Sequence, residues 1–412
     1  MTENYITKIF VKNSRNISDF LIPLSAKSRQ HLIITGKNGS GKTSLLLEID
    51  KFLSKTFDGQ FQDIDQIEKS KSSYVDLVNK NNYSEADRLS FQNQVKSLDE
   101  RIKSFGGIKI EFSNSTASIY EQSKEGNFIL AFFDSKRHTN LNVPIGINKI
   151  NLKKKYNLNE KANVNFIQYI VNLKADRSFA RDDDELNIVE EIDLWFNNFE
   201  ERLKTIFDDK SLKLEFDRKN YNFNIQLANK EKFGFNNLSD GYSAIISIIT
   251  EILLRMETTN SKLYDVEGIV IIDEIETHLH VDLQKKILPF LVDFFPKIQF
   301  IITTHSPFVL SSLSNTIICD LETKIITEDL SGYSSDALIE SYFTSDKYSD
   351  LLKEKIKRLE YLINIDSLTE NQKNEINFLK GELEELPKYL SKELHSKLLD
   401  IEINLLTKNR EK

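Results

Sequence analysis

The chain has 412 residues, of which 40% are hydrophobic and 29% charged, a composition that supports a sizeable core in one large domain or in two to three domains. Its net charge of −8 argues against a protein that coats DNA nonspecifically and leaves nucleic-acid contacts to a local patch or a partner. The single cysteine suits a reducing compartment, and no apolar run approaches the roughly 20 residues of a membrane span. We therefore expect a cytoplasmic protein without a membrane segment.

Two predicted strands open the chain, Tyr5 to Val11 and Ile17 to Leu24, and indicate an antiparallel hairpin. A third apolar run, His31 to Thr35, leads into a glycine-rich loop, Gly36 to Thr43, which fits G-x-x-x-x-G-K-[ST] at every fixed position. Helix-like spacing of apolar residues follows. Strand, loop and helix in this order predict the phosphate-binding loop of a nucleoside triphosphatase. A chance match in an ordinary glycine-rich turn is the alternative, and both flanking elements argue against it.

The predicted phosphate loop (Gly36 to Thr43) offers backbone N–H groups and a helix N-terminus to an anion. Lys42 is expected to reach the β- and γ-phosphates of ATP, and the Thr43 hydroxyl is expected to bind Mg²⁺. The residues expected to contact the nucleotide are Asn38, Gly39, Ser40, Gly41, Lys42, Thr43 and Ser44. ATP and Mg²⁺ are therefore the expected cofactors.

A polar segment, residues 66–105, predicts a short helical hairpin inserted after this helix. Further strands are predicted at Ile108 to Phe112, Ala117 to Tyr120 and Phe128 to Phe133. The last is apolar enough to be buried on both faces and ends in polar residues, among which Arg137 is a candidate phosphate contact. Residues 150–210 are expected to form a helical subdomain, with helices at Asn165 to Leu173 and Glu185 to Phe207, and strands follow at Lys213 to Phe216 and Phe223 to Leu227.

Two carboxylates follow a predicted buried strand in the second half of the chain. The strand is Gly268 to Ile272, and Asp273 and Glu274 come at its C-terminal end, where open α/β sheets bind ligands. We expect Asp273 to hold Mg²⁺ and Glu274 to orient or deprotonate the attacking water. A solvated acidic turn would explain the pair taken alone, but its combination with the phosphate loop favours the catalytic interpretation.

Two more motifs lie on either side of those carboxylates. Leu238 to Tyr242 opens an apolar helix with a Ser-x-Gly turn, so that Ser239 and the backbone at Gly241 can face an anion; an ordinary N-cap explains Ser239 equally well. Phe300 to Thr304 predicts another buried strand, which is followed by His305. A lone histidine is more often structural than catalytic, but its place at the end of a buried strand favours a functional role.

The order of these four motifs resembles that of the ABC-class ATPases, in particular the RecF/SMC-like and OLD-like branch. The resemblance spans roughly Tyr5 to Leu313. It implies an α/β fold, a P-loop NTPase of ABC-ATPase type with an antiparallel β subdomain, a short helical insertion and a C-terminal helical region. It also implies a head-to-tail homodimer, or a higher oligomer of such dimers, that encloses two ATP molecules. Lys42 and Thr43 of one subunit would then face Ser239 and Gly241 of the other.

Under the same resemblance, His305 is the switch histidine that contacts the γ-phosphate, and Glu276 to His280 matches the D-loop, which passes signals across the dimer. A metal site at His278 and His280 is the alternative, for which ligand spacing without cysteines is weak support. No glutamine ends an early strand where a Q-loop is expected. Gln168 lies in a predicted helix, where a structural role is favoured, and the Q-loop residue stays open.

Residues 1–320 are predicted as the ATPase domain and 321–412 as a C-terminal helical region. This region contains three amphipathic helices, Tyr348 to Ile363, Thr369 to Leu386 and Ser391 to Leu406. After Pro307 we identify no apolar strand that ends in nuclease-type carboxylates, and the six histidines form no His-Asn-His cluster. We therefore expect no nuclease site in the chain itself.

The compact insertion and the forms of the motifs resemble the ATPases of bacterial anti-phage systems of Septu, retron and PARIS type. This resemblance implies an ATPase that regulates a partner nuclease of HNH or Toprim type, with DNA contacted through the complex. Two alternatives stay open: a DNA repair or recombination clamp that acts directly on DNA ends, and a nucleotide-sensing scaffold with little turnover. DNA-stimulated hydrolysis would favour the clamp, and ATP binding with negligible hydrolysis would favour the scaffold.

Overall fold

The computed structural model describes residues 3–59, 64–80, 82–158, 160–228, 230–257, 265–341, 350–363, 365 and 369–384. The chain divides into two compact units, Met1–Ser335 and Asp336–Lys412. Within the described ranges, each helix is too short or too polar to cross a membrane.

The described strands are β1 (Ile6–Ser14), β2 (Ile17–Pro23), β3 (His31–Thr35), β4 (Ile108–Phe112), β5 (Phe128–Phe133), β6 (Lys213–Asp217), β7 (Asn222–Gln226), β8 (Phe233–Gly234), β9 (Glu267–Ile272), β10 (Ile298–Thr303), β11 (Thr316–Asp320) and β12 (Ile325–Glu328). The described helices are α1 (Lys42–Phe57), α2 (Ile64–Asn79), α3 (Glu85–Ser104), α4 (Thr116–Glu125), α5 (Phe166–Asp182), α6 (Leu186–Phe207), α7 (Asp240–Met256), α8 (Val281–Phe294), α9 (Pro307–Leu310), α10 (Ser335–Ser341), α11 (Asp350–Ile363) and α12 (Glu370–Glu384).

A six-stranded sheet forms the centre of the first unit, in the order β12-β11-β3-β10-β9-β5. Strands β11, β3, β10, β9 and β5 run parallel, and β12 pairs antiparallel with β11. The residues of β3, β10 and β11 are buried along the whole strand, which is typical of parallel strands covered on both faces. Because these five strands point the same way, their carboxyl ends meet at one edge of the sheet.

Smaller antiparallel sheets and helical hairpins complete the first unit. Strands β2, β1 and β4 form one sheet, and β6, β7 and β8 form another. The predicted hairpin over residues 66–105 is confirmed as α2 and α3, and the Ser84 hydroxyl caps α3 by accepting the Asp87 N–H at 3.2 Å. The predicted helix at Asn165 to Leu173 continues to Asp182, and α6 follows it.

The predicted strand at Ala117 to Tyr120 is wrong, because this segment lies in α4. Ser115 caps the helix by accepting the Ser118 N–H at 3.2 Å, and Gly126 ends it in a left-handed conformation. The cap residue Ser115 and the stop residue Gly126 define a short helix more strongly than the β-branched and aromatic residues between them define a strand.

The predicted boundary at residue 320 is also wrong, because the central sheet continues past it. Strand β12 pairs with β11, and the first unit extends to Ser335. Strand β11 is moreover an apolar strand after Pro307 that ends in a carboxylate, Asp320. This carboxylate accepts the N–H groups of Glu322 (2.8 Å) and Thr323 (3.3 Å), so it closes a turn between the two strands. Cys319 of the same strand is fully buried.

The second unit contains the helical pair α11 and α12. The buried residues of this pair are Ile356, Leu359, Leu362, Ile363, Ile376, Leu379 and Leu383, which form the apolar faces of the first two predicted amphipathic helices. Thr369 and Gln372 form a capping box: the Thr369 N–H donates to the Gln372 side chain at 2.9 Å, and the Gln372 N–H donates to the Thr369 hydroxyl at 3.4 Å. Leu386 and the predicted helix at Ser391 to Leu406 lie outside the described residues.

A buried histidine makes the stability of the first unit pH-dependent. His31 accepts the Phe300 N–H through Nδ1 at 3.1 Å, and burial, helped by the charge of Arg29, lowers its pKa to about 3. Between pH 6.5 and 3 the unfolded chain binds a proton that the folded chain does not, so stability falls as pH falls. We expect His31 to account for about 2 kcal/mol of the loss in unfolding free energy between pH 7.5 and 5.

Urea unfolding midpoints at these two pH values measure this effect. The variant His31→Gln keeps a hydrogen-bond acceptor and should lose less stability between pH 7.5 and 5 than the wild type. The exposed His280 gives the control, since His280→Asn should follow the wild type. Parallel losses in wild type and His31→Gln would contradict the assignment.

Candidate functional site

The candidate site lies at the edge of the central sheet where the five parallel strands end. The phosphate loop follows β3, Asp273 and Glu274 follow β9, and His305 comes two residues after β10. Their positions in the sequence are up to about 270 residues apart, and the parallel order of β3, β10 and β9 brings them to adjacent strand ends.

The phosphate loop has a backbone that requires glycine. Gly36, Gly39 and Gly41 have φ values of +131°, +84° and +102°, in the region that side chains with a Cβ rarely adopt. Gly41 is the N-cap residue of α1 and has no side chain to bind the first-turn N–H groups. The helix N-terminus therefore stays available to a negatively charged ligand.

Lys42 lies at the centre of this loop and is only 6% exposed. Its ammonium donates to the carbonyl oxygens of Gly36 at 2.8 Å and Lys37 at 3.1 Å. Burial lowers the pKa of Lys42, while the charges of Glu274 and Asp273 oppose that shift. The loop backbone therefore holds a buried positive charge beside the helix N-terminus, which suits phosphate binding.

Thr43 and Asp273 are brought together as the sequence predicts for an Mg²⁺ site. The Thr43 hydroxyl donates to Asp273 Oδ2 at 2.9 Å. The other carboxylate oxygen accepts the Thr303 hydroxyl at 2.6 Å, and the Thr303 hydroxyl in turn accepts the Glu274 N–H at 2.7 Å. A hydroxyl and a carboxylate oxygen are hard donors of the kind that Mg²⁺ prefers, so Thr43 and Asp273 fit this ion.

Sequence reasoning missed Thr303, which connects Asp273 to Glu274. Its one signal is a hydroxyl at the end of an otherwise apolar strand. Glu274 has a φ of +46°, and its carboxylate accepts the Thr277 hydroxyl at 3.3 Å. Since this φ is uncommon for a residue with a side chain, the surrounding contacts must hold Glu274 in place.

His305 is fixed to the same edge through its backbone. The His305 N–H donates to Glu276 Oε1 at 2.5 Å, and the other oxygen of that carboxylate is buried without a hydrogen bond to any residue that the structure describes. Burial, with the charge of Lys42 as a second cause, lowers the pKa of His305 and favours the neutral imidazole. A neutral imidazole can donate one proton and accept another, as a group near a phosphate needs to do.

Ser239 and Gly241 lie at the start of α7. Ser239 is exposed and occupies the N-cap position, but its hydroxyl makes no capping hydrogen bond, which weakens the ordinary N-cap interpretation. A Cβ on Gly241 would approach the His278 carbonyl oxygen to 2.8 Å, so the start of α7 packs against the segment Glu276 to His280. Among the described residues, no group of three or more His, Cys, Asp or Glu side chains is arranged to hold a metal ion.

The structure does not place Arg137 as a phosphate contact. Its side chain is 4% exposed, and its guanidinium donates to the backbone carbonyls of Asp273 and Glu274. Gln168 has the structural role that we favoured, since its side-chain amide donates to the Gly146 carbonyl at 3.0 Å and to the Asn172 side chain at 2.9 Å.

A family model and several known proteins match this chain. Residues 32–311 match the family described as "AAA domain, putative AbiEii toxin, Type IV TA system". The Septu protein PtuA of Bacillus mycoides (strain KBAB4) is 28% identical over 406 residues, covering 94% of this chain and 51% of that protein. The "Retron Vc95 probable ATPase" of Vibrio cholerae serotype O1 biovar El Tor is 38% identical over 105 residues, covering 25% of this chain and 20% of that protein.

The chain thus spans about half the length, or less, of these curated relatives. Among solved structures, the SmcHead bound to the C-winged helix domain of ScpA matches with a TM-score of 0.38 and 14% identity, covering 77% of this chain and 94% of that one. The family match extends over about two thirds of the chain and contains the phosphate loop, Asp273, Glu274 and His305. The chain belongs to this AAA-domain family.

Proposed function

We propose that this protein binds and hydrolyses ATP as an ABC-type ATPase, dimerises around ATP, and regulates a partner effector, a nuclease, in bacterial anti-phage defence. The observation that carries the ATPase assignment is the contact between Thr43 and Asp273 beside the buried ammonium of Lys42. Lys42 and Thr43 begin α1, Asp273 follows β9, and together they offer one cation and one pair of hard oxygens to a triphosphate and its metal.

In this proposal Lys42 and the loop N–H groups bind the phosphates, and Thr43 and Asp273 hold Mg²⁺. The ion neutralises the charge that develops between the β- and γ-phosphates. Glu274 accepts a proton from the attacking water, and the contacts of its backbone with Thr303 hold the carboxylate at the strand end. His305, kept neutral, contacts the γ-phosphate.

Dimerisation is the second part of the proposal. Ser239 is exposed, is free of the capping bond that would occupy it, and lies on a different element from the phosphate loop. An exposed hydroxyl at the N-cap position of a helix suits a phosphate held by another copy of the chain. Two copies related by a twofold axis would then form two equivalent composite sites.

A mixing experiment tests both parts together. Lys42→Ala and Ser239→Arg should each abolish hydrolysis alone, because each alters every site of a homodimer. In a mixed dimer, one site combines the intact phosphate loop of one chain with the intact Ser239 of the other. A 1:1 mixture should therefore recover about a quarter of the wild-type rate, since half of the dimers are mixed and each has one intact site.

The matched control is a mixture of Lys42→Ala with Glu274→Gln. Lys42 and Glu274 act in the same chain, so no mixed dimer of these variants contains an intact site, and no recovery is expected. Mass measurement of the mixture establishes that mixed dimers form. Mixed dimers without recovered hydrolysis in the first mixture would contradict the composite site.

The defence role rests on the kinship with the Septu and retron proteins named above. The carboxylate of Asp320, the last residue of β11, accepts two backbone N–H groups and closes a turn, which supports a structural role for it, and we therefore propose that the nuclease is a partner. A nuclease supplied by another chain would give the ATPase an activity to regulate, and ATP binding would shift the dimer between open and closed states.

A further inference from the structure

Arg137 makes an unusual set of contacts at the candidate site. Its guanidinium donates to the carbonyl oxygens of Asp134 and Asp273, both at 2.6 Å, of Glu274 at 2.9 Å and of Ile275 at 3.4 Å. Three of these carbonyls belong to consecutive residues. Residues 273–275 lie outside the helices and strands, so regular backbone hydrogen bonding does not orient their carbonyls. The bonds to the Arg137 guanidinium therefore fix the orientation of these three peptide groups.

The backbone N–H groups of the same three residues are hydrogen-bonded as well. The Asp273 N–H donates to the Phe133 carbonyl at 2.8 Å, the Glu274 N–H donates to the Thr303 hydroxyl at 2.7 Å, and the Ile275 N–H donates to the Thr303 carbonyl at 3.1 Å. The uncommon φ of Glu274 lies in the middle of this segment. Without the contacts on the carbonyl side, the backbone would be free to relax towards a more favourable φ.

We propose that Arg137 is a positioning residue, whose guanidinium holds the backbone of residues 273–275 and thereby directs the Glu274 carboxylate towards the attacking water. This inference rests on the proposed ATPase function and adds a residue that acts through Glu274. It replaces the phosphate contact that the sequence suggests for Arg137.

Arginine suits this role better than lysine does. The guanidinium is planar and carries five N–H donors in a fixed fork, whereas an ammonium is a compact group with three donors. Burial lowers the pKa of Arg137 to about 10, with the charge of Asp134 opposing the shift, so the side chain stays charged at neutral pH. The carbonyl oxygens give the two terminal nitrogens of the buried guanidinium hydrogen-bond partners that water would otherwise provide, while its Nε has none among the described residues.

The segment 134–141, which contains Arg137, also contacts the start of α7. The Thr139 N–H donates to the Ser243 hydroxyl and the Thr139 hydroxyl donates to the Ser243 carbonyl, both at 2.7 Å. The Leu141 N–H donates to the Asn236 side chain at 2.9 Å. One short segment therefore connects the Glu274 backbone to the helix that begins beside Ser239. If α7 moved when the dimer closed, this segment would move Arg137 and so change the position of the Glu274 backbone.

The test compares Arg137→Ala, Arg137→Lys and the exposed neighbour Lys136→Ala as a matched control. A positioning role predicts that Arg137→Ala lowers kcat roughly 100-fold while the Kd for a nonhydrolysable ATP analogue changes less than about threefold. Arg137→Lys, which retains the charge, should recover part of the lost kcat. Lys136→Ala should match the wild type in both measurements.

Hydrogen exchange gives a readout that does not depend on hydrolysis. In Arg137→Ala, exchange should rise in peptides that cover residues 270–280 and stay unchanged in peptides that cover the phosphate loop. The same data test folding, because a misfolded variant exchanges faster throughout the first unit. If Arg137→Ala misfolds in this way, Arg137→Lys replaces it in the test. Exchange in Arg137→Lys must then rise most in the peptides that cover residues 270–280.

Two results would overturn the inference. One is a loss of analogue affinity of about tenfold or more in Arg137→Ala with kcat preserved, which would restore the phosphate contact. The other is unchanged exchange over residues 270–280. A wild-type protein that binds the analogue without hydrolysing it would instead overturn the proposed ATPase, and the exchange result would still decide whether Arg137 holds the loop.

Discussion

Lys42→Ala is expected to lower ATP affinity by roughly two to four orders of magnitude, because it removes two charge-assisted hydrogen bonds to phosphate worth about 1.5–3 kcal/mol each. The ammonium is buried and donates to the backbone carbonyls of Gly36 and Lys37, so it is held within the loop that would surround the phosphates. Isothermal titration with a nonhydrolysable ATP analogue measures the effect. Cells that carry the gene in its natural neighbourhood should also lose protection against phage plating.

The control for this prediction lies on the same helix. Lys51 is exposed and pairs with Glu48 at 3.1 Å, so Lys51→Ala removes a positive charge from α1 without touching the phosphate loop. It should bind the analogue as the wild type does. ATP binding by Lys42→Ala at wild-type affinity would contradict the assignment of the loop, and preserved phage protection would separate the defence role from nucleotide binding.

Glu274→Gln is expected to lower the hydrolysis rate by a factor of about 10² to 10⁴, the range that a general base contributes, while ATP binding is retained. The substitution keeps the shape of the side chain and removes its basicity. Because binding persists and hydrolysis does not, ATP-bound dimers should accumulate. Single-turnover hydrolysis and the mass distribution in the presence of ATP measure the two effects separately.

The exposed Asp282, in the first turn of α8, provides a matched carboxylate-to-amide control, since Asp282→Asn should leave both measurements unchanged. Hydrolysis by Glu274→Gln at the wild-type rate would eliminate Glu274 as the base. Slow hydrolysis without accumulation of dimers would leave the base in place and contradict nucleotide-dependent dimerisation.

The sequence predicted four of the five parallel strands of the central sheet, β3, β5, β9 and β10, because such strands have a strong apolar pattern; it did not predict β11 or β12. Each such strand is buried on both faces, so it appears as a short run of isoleucine and valine. Candidate ligand-binding residues then come at or shortly after its carboxyl end, as Asp273 and His305 do. The fold class and the edge of the sheet that carries the candidate site could therefore be derived without coordinates.

The contacts between strands could not be derived in the same way. Thr303 bonds to Asp273 and Glu274 because β10 lies beside β9, and this neighbour relation depends on sheet order. Whether the Arg137 side chain contacts backbone carbonyls or a phosphate depends on the conformation of the neighbouring backbone. The residue type alone does not specify that conformation. Strand β12 is a short, half-exposed edge strand, whose weak apolar pattern resembles a turn.

The buried cysteine determines how the protein can be labelled with thiol reagents. Cys319 is the one cysteine of the chain, it lies inside β11, and burial raises the pKa of its thiol to about 12. A thiol that is neither ionised nor accessible does not react with maleimides or oxidants at neutral pH. The natural sequence can therefore be used for single-site labelling without first replacing Cys319. A cysteine introduced at an exposed position would carry a fluorophore or a crosslinker alone, and the approach of two copies could be followed as a distance in solution.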